Sequence, residues 1–335
     1  MPGLNYTEVF QRFRGLRVMV IGDVMVDAYL FGRVERISPE APVPVVQVER
    51  RVNHLGGAAN VALNLKSLGA EPLMYSVIGK DLKGSEFLQL LRDEGMPASG
   101  IIESADRITT TKFRVFGNKA QMLRVDEEVT TDLNAGGLAK LLQAISARLD
   151  SGQVDAIIFQ DYNKGVLVPP LIESVTGLAL RAGIPVAVDP KKKNFLQYRN
   201  ATLFKPNLKE LREGLNMEIN PGNLQGLEAA AAFFHNEQGN PVVMTTLSEK
   251  GVFISNQEPG GTAQSRIIPA HLRNIADVSG AGDTVISVAT LCLACGVPPF
   301  EMAAIANIAG GLVCEEVGVV PVNREKLLTE IRDLL

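Results

Sequence analysis

Two hydrophobic patterns alternate along this chain. The first is a short apolar run closed by glycine or an acid, followed by a longer stretch with helical spacing. Arg17–Gly22 (RVMVIG) is such a run and predicts a buried strand. Residues 72–79 predict another strand, and 84–94 a helix. From residue 155 the alternation becomes regular. Strands are expected at 155–160, 184–188, 202–205, 241–246 and 252–256. Helices are expected at 169–182, 207–214 and 224–236, and those at 280–296 and 300–316 finish the fold. This rhythm predicts a doubly wound, mainly parallel α/β sheet flanked by helices.

The second pattern is strict alternation of apolar and polar residues. Residues 109–116 and 121–125 alternate around Gly117-Asn118, a hairpin signal. The stretch 29–49 carries Pro39, Pro42 and Pro44 and is not helical, while 43–48 (VPVVQV) suggests an edge strand. Together these segments predict a small β-layer on the main body. Arg114 and Arg124 would point out of it, toward an anionic ligand or into solvent. A further helix opens at Leu55-Gly56-Gly57-Ala58-Ala59-Asn60 and runs to about Leu68.

The chain has 335 residues, 46% hydrophobic and 21% charged, enough for one large α/β domain or two smaller ones. A net charge of −4 favours neither a nucleic-acid nor an anionic-membrane partner. No apolar run reaches the roughly 20 residues that span a bilayer, and residues 1–14 lack the apolar core of a signal peptide. Three cysteines argue against a disulfide framework and for a reducing cytoplasm. Cys292 and Cys295 form a C-x-x-C spacing inside a predicted apolar helix and read as buried small residues. His54, His235 and His271 are scattered without metal-ligand spacing.

Chemistry concentrates in Asp277-Val278-Ser279-Gly280-Ala281-Gly282-Asp283-Thr284, which leads directly into a predicted helix. Glycines let a ligand approach the backbone, and the unpaired first-turn N–H groups attract an anion. A carboxylate there, Asp283, is repelled by a phosphate unless it serves as a base for an attacking hydroxyl. The competing reading is a helix cap flanked by turn glycines.

Asp23 and Asp27 follow the first strand, where ligand groups collect in open α/β sheets. They could face a polyol, bind Mg²⁺ or cap a turn. Asn60 can both donate to and accept from sugar hydroxyls, or simply allow tight helix packing beside Gly56 and Gly57. Three polar clusters lie at strand ends: Asp161 to Gly165, Asp189-Pro190-Lys191-Lys192-Lys193, and Asn207-Leu208-Lys209-Glu210. The lysines could meet a phosphate or coat a loop. The amide and acid of the last cluster could hold a hydrated Mg²⁺. Neither a P-loop nor the glycine fingerprint of dinucleotide folds is present, which argues against a dehydrogenase.

In order, these pieces resemble the ribokinase-like sugar kinases, the phosphofructokinase-B family, across essentially the whole chain. Gly56-Gly57-Ala58-Ala59-Asn60 is similar to the family's first signature, and DVSGAGD at 277–283 to its second, with Ser279 in place of the commoner threonine. Asn207 to Glu210 is similar to its N-x-x-E motif. The resemblance implies one ribokinase-like domain over 1–335, with lid segments at about 30–50 and 110–126 that cover the sugar and exclude water. It implies Asp283 as base and the amides of Gly280, Ala281 and Gly282 as an anion hole. Asn207 and Glu210 would organise Mg²⁺ through water. Asp27, Gly57 and Asn60 would hold the sugar hydroxyls, and Asp23, Gly56 and Asp189 would join them in binding the substrate. Thr245, Thr246, Ser248, Lys250 and Gly251 fall where the family's nucleotide loop lies, with Asn207 beside them.

Further strings, GDVMVDAY, RISPEAPVPVV, GGAANVALNL, TTTKFRV, QMLRVD, DYNKG and DPKKKNF, are similar to the family branch acting on heptose phosphates. That likeness implies ATP and D-glycero-D-manno-heptose 7-phosphate as substrates, the 1,7-bisphosphate as product, and a place in lipopolysaccharide core precursor synthesis. Lys191, Lys192 and Arg124, with Arg114 behind them, would meet the 7-phosphate. A homodimer through the lids, a monovalent cation such as K⁺, and a separate adenylyltransferase complete the expectation. With no H-x-G-H string, a stand-alone kinase or a truncated piece is expected. Two rivals are a kinase of the same family for another sugar and a regulator that binds without turnover.

Overall fold

The computed structural model describes residues 4–258 and 260–335; the first three residues of the amino-terminal segment, and Pro259, lie outside that description. Helix α1 (Tyr6–Arg12) precedes β1 (Arg17–Gly22). Strands β2 (Val24–Ile37) and β3 (Pro44–Gly57) form a long hairpin, followed by α2 (Ala58–Ser67), β4 (Glu71–Gly79), α3 (Leu82–Asp93) and β5 (Ile101–Ser104). A second hairpin pairs β6 (Thr111–Gly117) with β7 (Ala120–Glu127). Then come α4 (Ala135–Asp150), β8 (Ala156–Gln160), α5 (Pro169–Ala182), β9 (Val186–Asp189), β10 (Leu203–Phe204), α6 (Leu208–Leu215) and α7 (Leu224–Gln238). The chain closes with β11 (Val242–Thr246), β12 (Val252–Asn256), β13 (Gln264–Ile268), α8 (Ala281–Ala294), α9 (Pro299–Val313) and α10 (Arg324–Leu334).

Nine strands form one sheet in the order β13-β12-β11-β10-β9-β8-β1-β4-β5. From β11 to β5 every neighbouring pair is parallel, and β12 runs antiparallel to both of its neighbours. Alternate residues of each strand feed two separate cores. Val18, Val20, Ile158 and Met244 pack with α2, α8 and α9, and Met19, Ile21, Phe159 and Val243 with α4, α5 and α7. Burial on both faces is why these strands read as unbroken apolar runs. Strand order reverses at β1, between β4 and β8, so a crevice opens beyond the carboxyl ends of these strands.

Local signals set the helix ends. Pro169 and Pro170 start α5, and Gly183 stops it in the left-handed conformation (φ 67°). Asp81 caps α3 by accepting from the Gly84 N–H (2.6 Å), and it also accepts from the Thr109 N–H (2.8 Å), tying α3 to the approach to β6.

The remaining four strands form a second sheet in the order β3-β2-β6-β7. Pairs β2–β3 and β6–β7 are antiparallel and β2–β6 is parallel. Three sequence expectations change here. The strand expected at 43–48 belongs to a fourteen-residue strand, paired with an equally long one that charged residues had obscured. The helix expected from Leu55 begins at Ala58, because Leu55, Gly56 and Gly57 still pair with β2. The helices near the carboxyl end do not finish the fold. Helix α10 follows, capped by Asn323, and buries Leu327 and Ile331. Helices α1 and α4 and strands β5 and β13 also escaped the sequence reading.

Candidate active site

Residue Asp283 lies in the first turn of α8 and is 6% exposed. The turn before it is built by Asp277, whose carboxylate accepts from the Ser279 N–H (2.9 Å) and the Gly318 N–H (3.2 Å). Gly280 then takes a left-handed φ of 81°, where a Cβ would press on Asn60 and Val319. Asp283 makes no capping bond. Its Oδ2 accepts from Asn60 Nδ2 (2.6 Å), and its Oδ1 from the Tyr162 hydroxyl (2.8 Å) and Gln160 Nε2 (3.1 Å). The cap reading therefore fails, and the carboxylate is held instead by side chains of α2, of the end of β8 and of the loop after it.

Burial pushes the Asp283 carboxyl up to about 6. The Asn60 bond opposes this, Asp189 adds to it, and Tyr162 and Lys205 work against it. Asp189, at the end of β9, pairs with the buried Lys205 ammonium (3.0 Å). A Cβ at Gly282 would lie 3.8 Å from both Asp189 Oδ2 and Lys205 Nζ, so this pair borders the glycine turn. The first-turn amides of α8 have no intrahelical acceptor. That of Ala281 makes only a long bond, 3.4 Å, to the Val278 carbonyl.

Asp23 lies just beyond β1 and is 1% exposed. Its oxygens accept from the N–H groups of Tyr162 (2.9 Å), Lys164 (3.0 Å) and Val166 (3.0 Å). Burial, with Asp161 beside it, pushes this carboxyl up, and those three bonds hold it down. Asp23 thus clamps the 162–166 loop that carries Tyr162. Gly57 caps α2 at φ 61°, and a Cβ there would run into the Asp23 carbonyl. Asp27 sits on β2 against Gly56, where a Cβ would strike its carboxylate, and it accepts from Arg114 Nη1 (2.6 Å).

The remaining candidates are more dispersed. Lys191 pairs with Glu210 and lies 5.8 Å from the centre of the Tyr162 ring. Lys192 is exposed. Arg124 is half exposed on β7 and pairs with Asp126 at 3.0 Å. Thr245 is fully buried with an unpartnered Oγ1. Thr246 bridges to Asn207 across parallel backbone. Ser248, Lys250 and Gly251 form a tight turn with positive φ at Ser248 and Gly251.

The N-x-x-E pair closes a capping box: Asn207 Oδ1 accepts from the Glu210 N–H (2.9 Å) and Glu210 Oε2 from the Asn207 N–H (2.8 Å). Glu210 Oε1 is taken by Lys191. With three oxygens each engaged once, the pair is left to meet Mg²⁺ through water rather than by direct ligation. Among the described residues no group of three or more His, Cys, Asp and Glu gathers to hold a metal.

Sequence reasoning missed Gln160 and Lys205, and placed Tyr162 only within the polar cluster from Asp161 to Gly165, without a role. Each lies at or just past a strand's carboxyl end, the same signal that marked Asp23 and Asp189.

A parallel sheet with an acid-bearing helix terminus at its switch point defines an α/β phosphotransferase of the ribokinase-like type. The chain belongs to the pfkB family of carbohydrate kinases, whose family model matches residues 16–326. It is 39% identical over 323 residues to the bifunctional protein HldE of Geotalea uraniireducens, covering 96% of this chain and 64% of that protein. It is 41% identical over 315 residues to the bifunctional protein HldE of Methylobacillus flagellatus, covering 94% and 63%. The chain therefore spans somewhat less than two thirds of these relatives. Among solved structures it is similar to phosphofructokinase-2 from Escherichia coli in complex with potassium, at TM-score 0.76 and 19% identity over 95% of this chain and 99% of that one. It is also similar to ribokinase of Arabidopsis thaliana complexed with ribose and ATP, at TM-score 0.69 and 18% identity over 94% and 99%.

Proposed function

We propose that this chain transfers the γ-phosphoryl group of ATP to the anomeric hydroxyl of D-glycero-D-manno-heptose 7-phosphate, giving the 1,7-bisphosphate for lipopolysaccharide core precursor synthesis. The observation that carries the reading is the Asp283 carboxylate, buried and held by Asn60, Tyr162 and Gln160 at a glycine-lined helix terminus. Above about pH 6 it is ionised and takes the proton of the attacking hydroxyl as the phosphoryl group transfers. The amides of Gly280, Ala281 and Gly282 face the charge that develops on that group. The Lys205 ammonium lies beside them.

Asp27, Gly56, Gly57 and Asn60 make the acceptor side of the crevice, and residues 245–251 the nucleotide side. Family membership implies ATP and a divalent metal, which would supply charge neutralisation on the phosphates. Because the Asn207–Glu210 pair is already satisfied, no step is routed through it. The choice of heptose phosphate rests on the discriminating strings in the sequence and on the relatedness to HldE proteins.

We read the four-stranded sheet as a lid over the acceptor. Ile37, Leu123 and Val125 on it are exposed, which supports a homodimer. No helix among the described residues is long and apolar enough to cross a membrane; we place the enzyme in the cytoplasm, where an adenylyltransferase activity would act on its product pathway.

The test is phosphoryl transfer from ATP across sugars and sugar phosphates. Heptose 7-phosphate should be preferred by kcat/KM. Preference for an unphosphorylated hexose would overturn the assignment in favour of another sugar kinase.

A further inference from the structure

At the crevice a half-buried ammonium, Lys112, makes no hydrogen bond or ion pair among the described residues. Lys112 lies on β6, directly opposite Asp27 on β2 and Asp126 on β7. Cross-strand partners share a face of a sheet, so the three side chains emerge together. Arg114, two residues on, emerges on the same face, opposite Arg124. Both acids are already engaged: Asp27 with Arg114 (2.6 Å) and Asp126 with Arg124 (3.0 Å). The Lys112 ammonium instead lies 5.9 Å from the centre of the Tyr162 ring, and Lys191 lies 5.8 Å from the same ring. The hydroxyl of that ring is bonded to Asp283.

Three other ammonium groups around the crevice are paired within the chain, Lys164 with Glu128, Lys191 with Glu210, and Lys205 with Asp189, while Lys192 is exposed to water. Burial pushes the Lys112 ammonium below its ordinary value, with Asp27 and Asp126 opposing that shift. Holding an unpaired ammonium partly out of water is unfavourable unless an anion compensates it.

We propose that Lys112 is the specificity-determining cation of the acceptor subsite, binding the anionic group that the acceptor sugar itself carries, a phosphate in the reading above. The acceptor's anion is favoured over the nucleotide's, because Lys112 shares its sheet face with Asp27 on the acceptor side and lies on a different element from residues 245–251. Arg124, the sequence's candidate for this anion, is neutralised by Asp126 and half exposed.

This inference rests on the kinase reading, and its test separates the two. Lys112→Met keeps the length of the side chain and removes the charge, while Lys112→Arg keeps the charge. With heptose 7-phosphate, Lys112→Met should lower kcat/KM by about 30- to 1,000-fold, chiefly through KM, with KM for ATP unchanged. Turnover of the unphosphorylated heptose should stay within about twofold of the parent, and Lys112→Arg should restore most of the loss. Calorimetric titration with heptose 7-phosphate, without ATP, should show the same weakening. Equal loss on both sugars, a raised KM for ATP instead, or unchanged titration would each overturn the proposal. If the parent protein binds heptose 7-phosphate but phosphorylates no sugar, the kinase reading fails, while the titration still decides the role of Lys112.

Discussion

The two sheets of this molecule are built on opposite terms. In the nine-stranded sheet, β8 is buried along its whole length and contributes alternately to both cores. In the four-stranded sheet, β7 is exposed along its whole length. The first sheet is held by its own apolar contacts, and its strand ends gather acids because that is where the chain leaves the hydrophobic layers. The second carries Asp27, Lys112, Arg114, Arg124 and Asp126 on one face, an arrangement that costs desolvation and gains little from burial. The difference teaches that the large sheet sets where chemistry can occur, and the small one is shaped for what it touches.

The sharpest way to test the comparison is at the site the large sheet positions. Asp283→Asn should fold normally and lose phosphoryl transfer by about 10³-fold or more in kcat. A variant with turnover within tenfold of the parent would remove Asp283 from the mechanism. The same group predicts a pH effect on stability. Its carboxyl is raised in the folded state to about 6, above the ordinary 3.8, so between those values the folded protein binds more protons than the unfolded chain. Stability from this group is therefore full below about pH 4 and declines as pH rises to about 6. Denaturant titrations of the parent and of Asp283→Asn between these pH values should differ by that slope, and parallel curves would contradict it.

Core truncation in the large sheet comes next in size. Ile158→Ala, at a fully buried position, should cost about 2–5 kcal/mol in urea unfolding. A loss under 1 kcal/mol would mean that this layer is not the scaffold. Smaller still is Tyr162→Phe, which removes one hydrogen bond to Asp283 while the loop clamped by Asp23 remains. It should lower kcat by about tenfold or less and shift the acid limb of the kcat/KM profile to higher pH, since the lost bond favoured the ionised carboxylate. An unshifted limb would deny Tyr162 that role. Smallest of all, Leu123→Ala on the small sheet should change monomer stability by no more than about 0.5 kcal/mol, because the side chain is 56% exposed. A larger loss that grows with protein concentration would instead support association through this sheet.

The same contrast separates what could be read in advance from what could not. The inner strands of the large sheet were legible because burial on both faces leaves an uninterrupted apolar run, whereas the partly exposed edge strands β5 and β13 were not. The long hairpin of β2 and β3 was not, because its charged positions find their partners across strands distant in sequence. Arg114 pairs with Asp27 across 87 residues, a contact no local pattern announces. The N-x-x-E string was recognised, but only the folded chain shows its oxygens closed into a capping box and a lysine pair.

By itself the sequence determined the α/β alternation, the glycine turn ahead of a helix, and the acid within that helix's first turn. These are local consequences of periodicity and of backbone freedom at Gly280 and Gly282. Only the tertiary structure decided which side chains hold that acid, that Asp23 serves the Tyr162 loop, and that Lys112 makes no ion pair among the described residues. Such pairings depend on groups brought together from more than 100 residues apart, and hydrogen bonds and charges act over a few ångströms of space rather than along the chain.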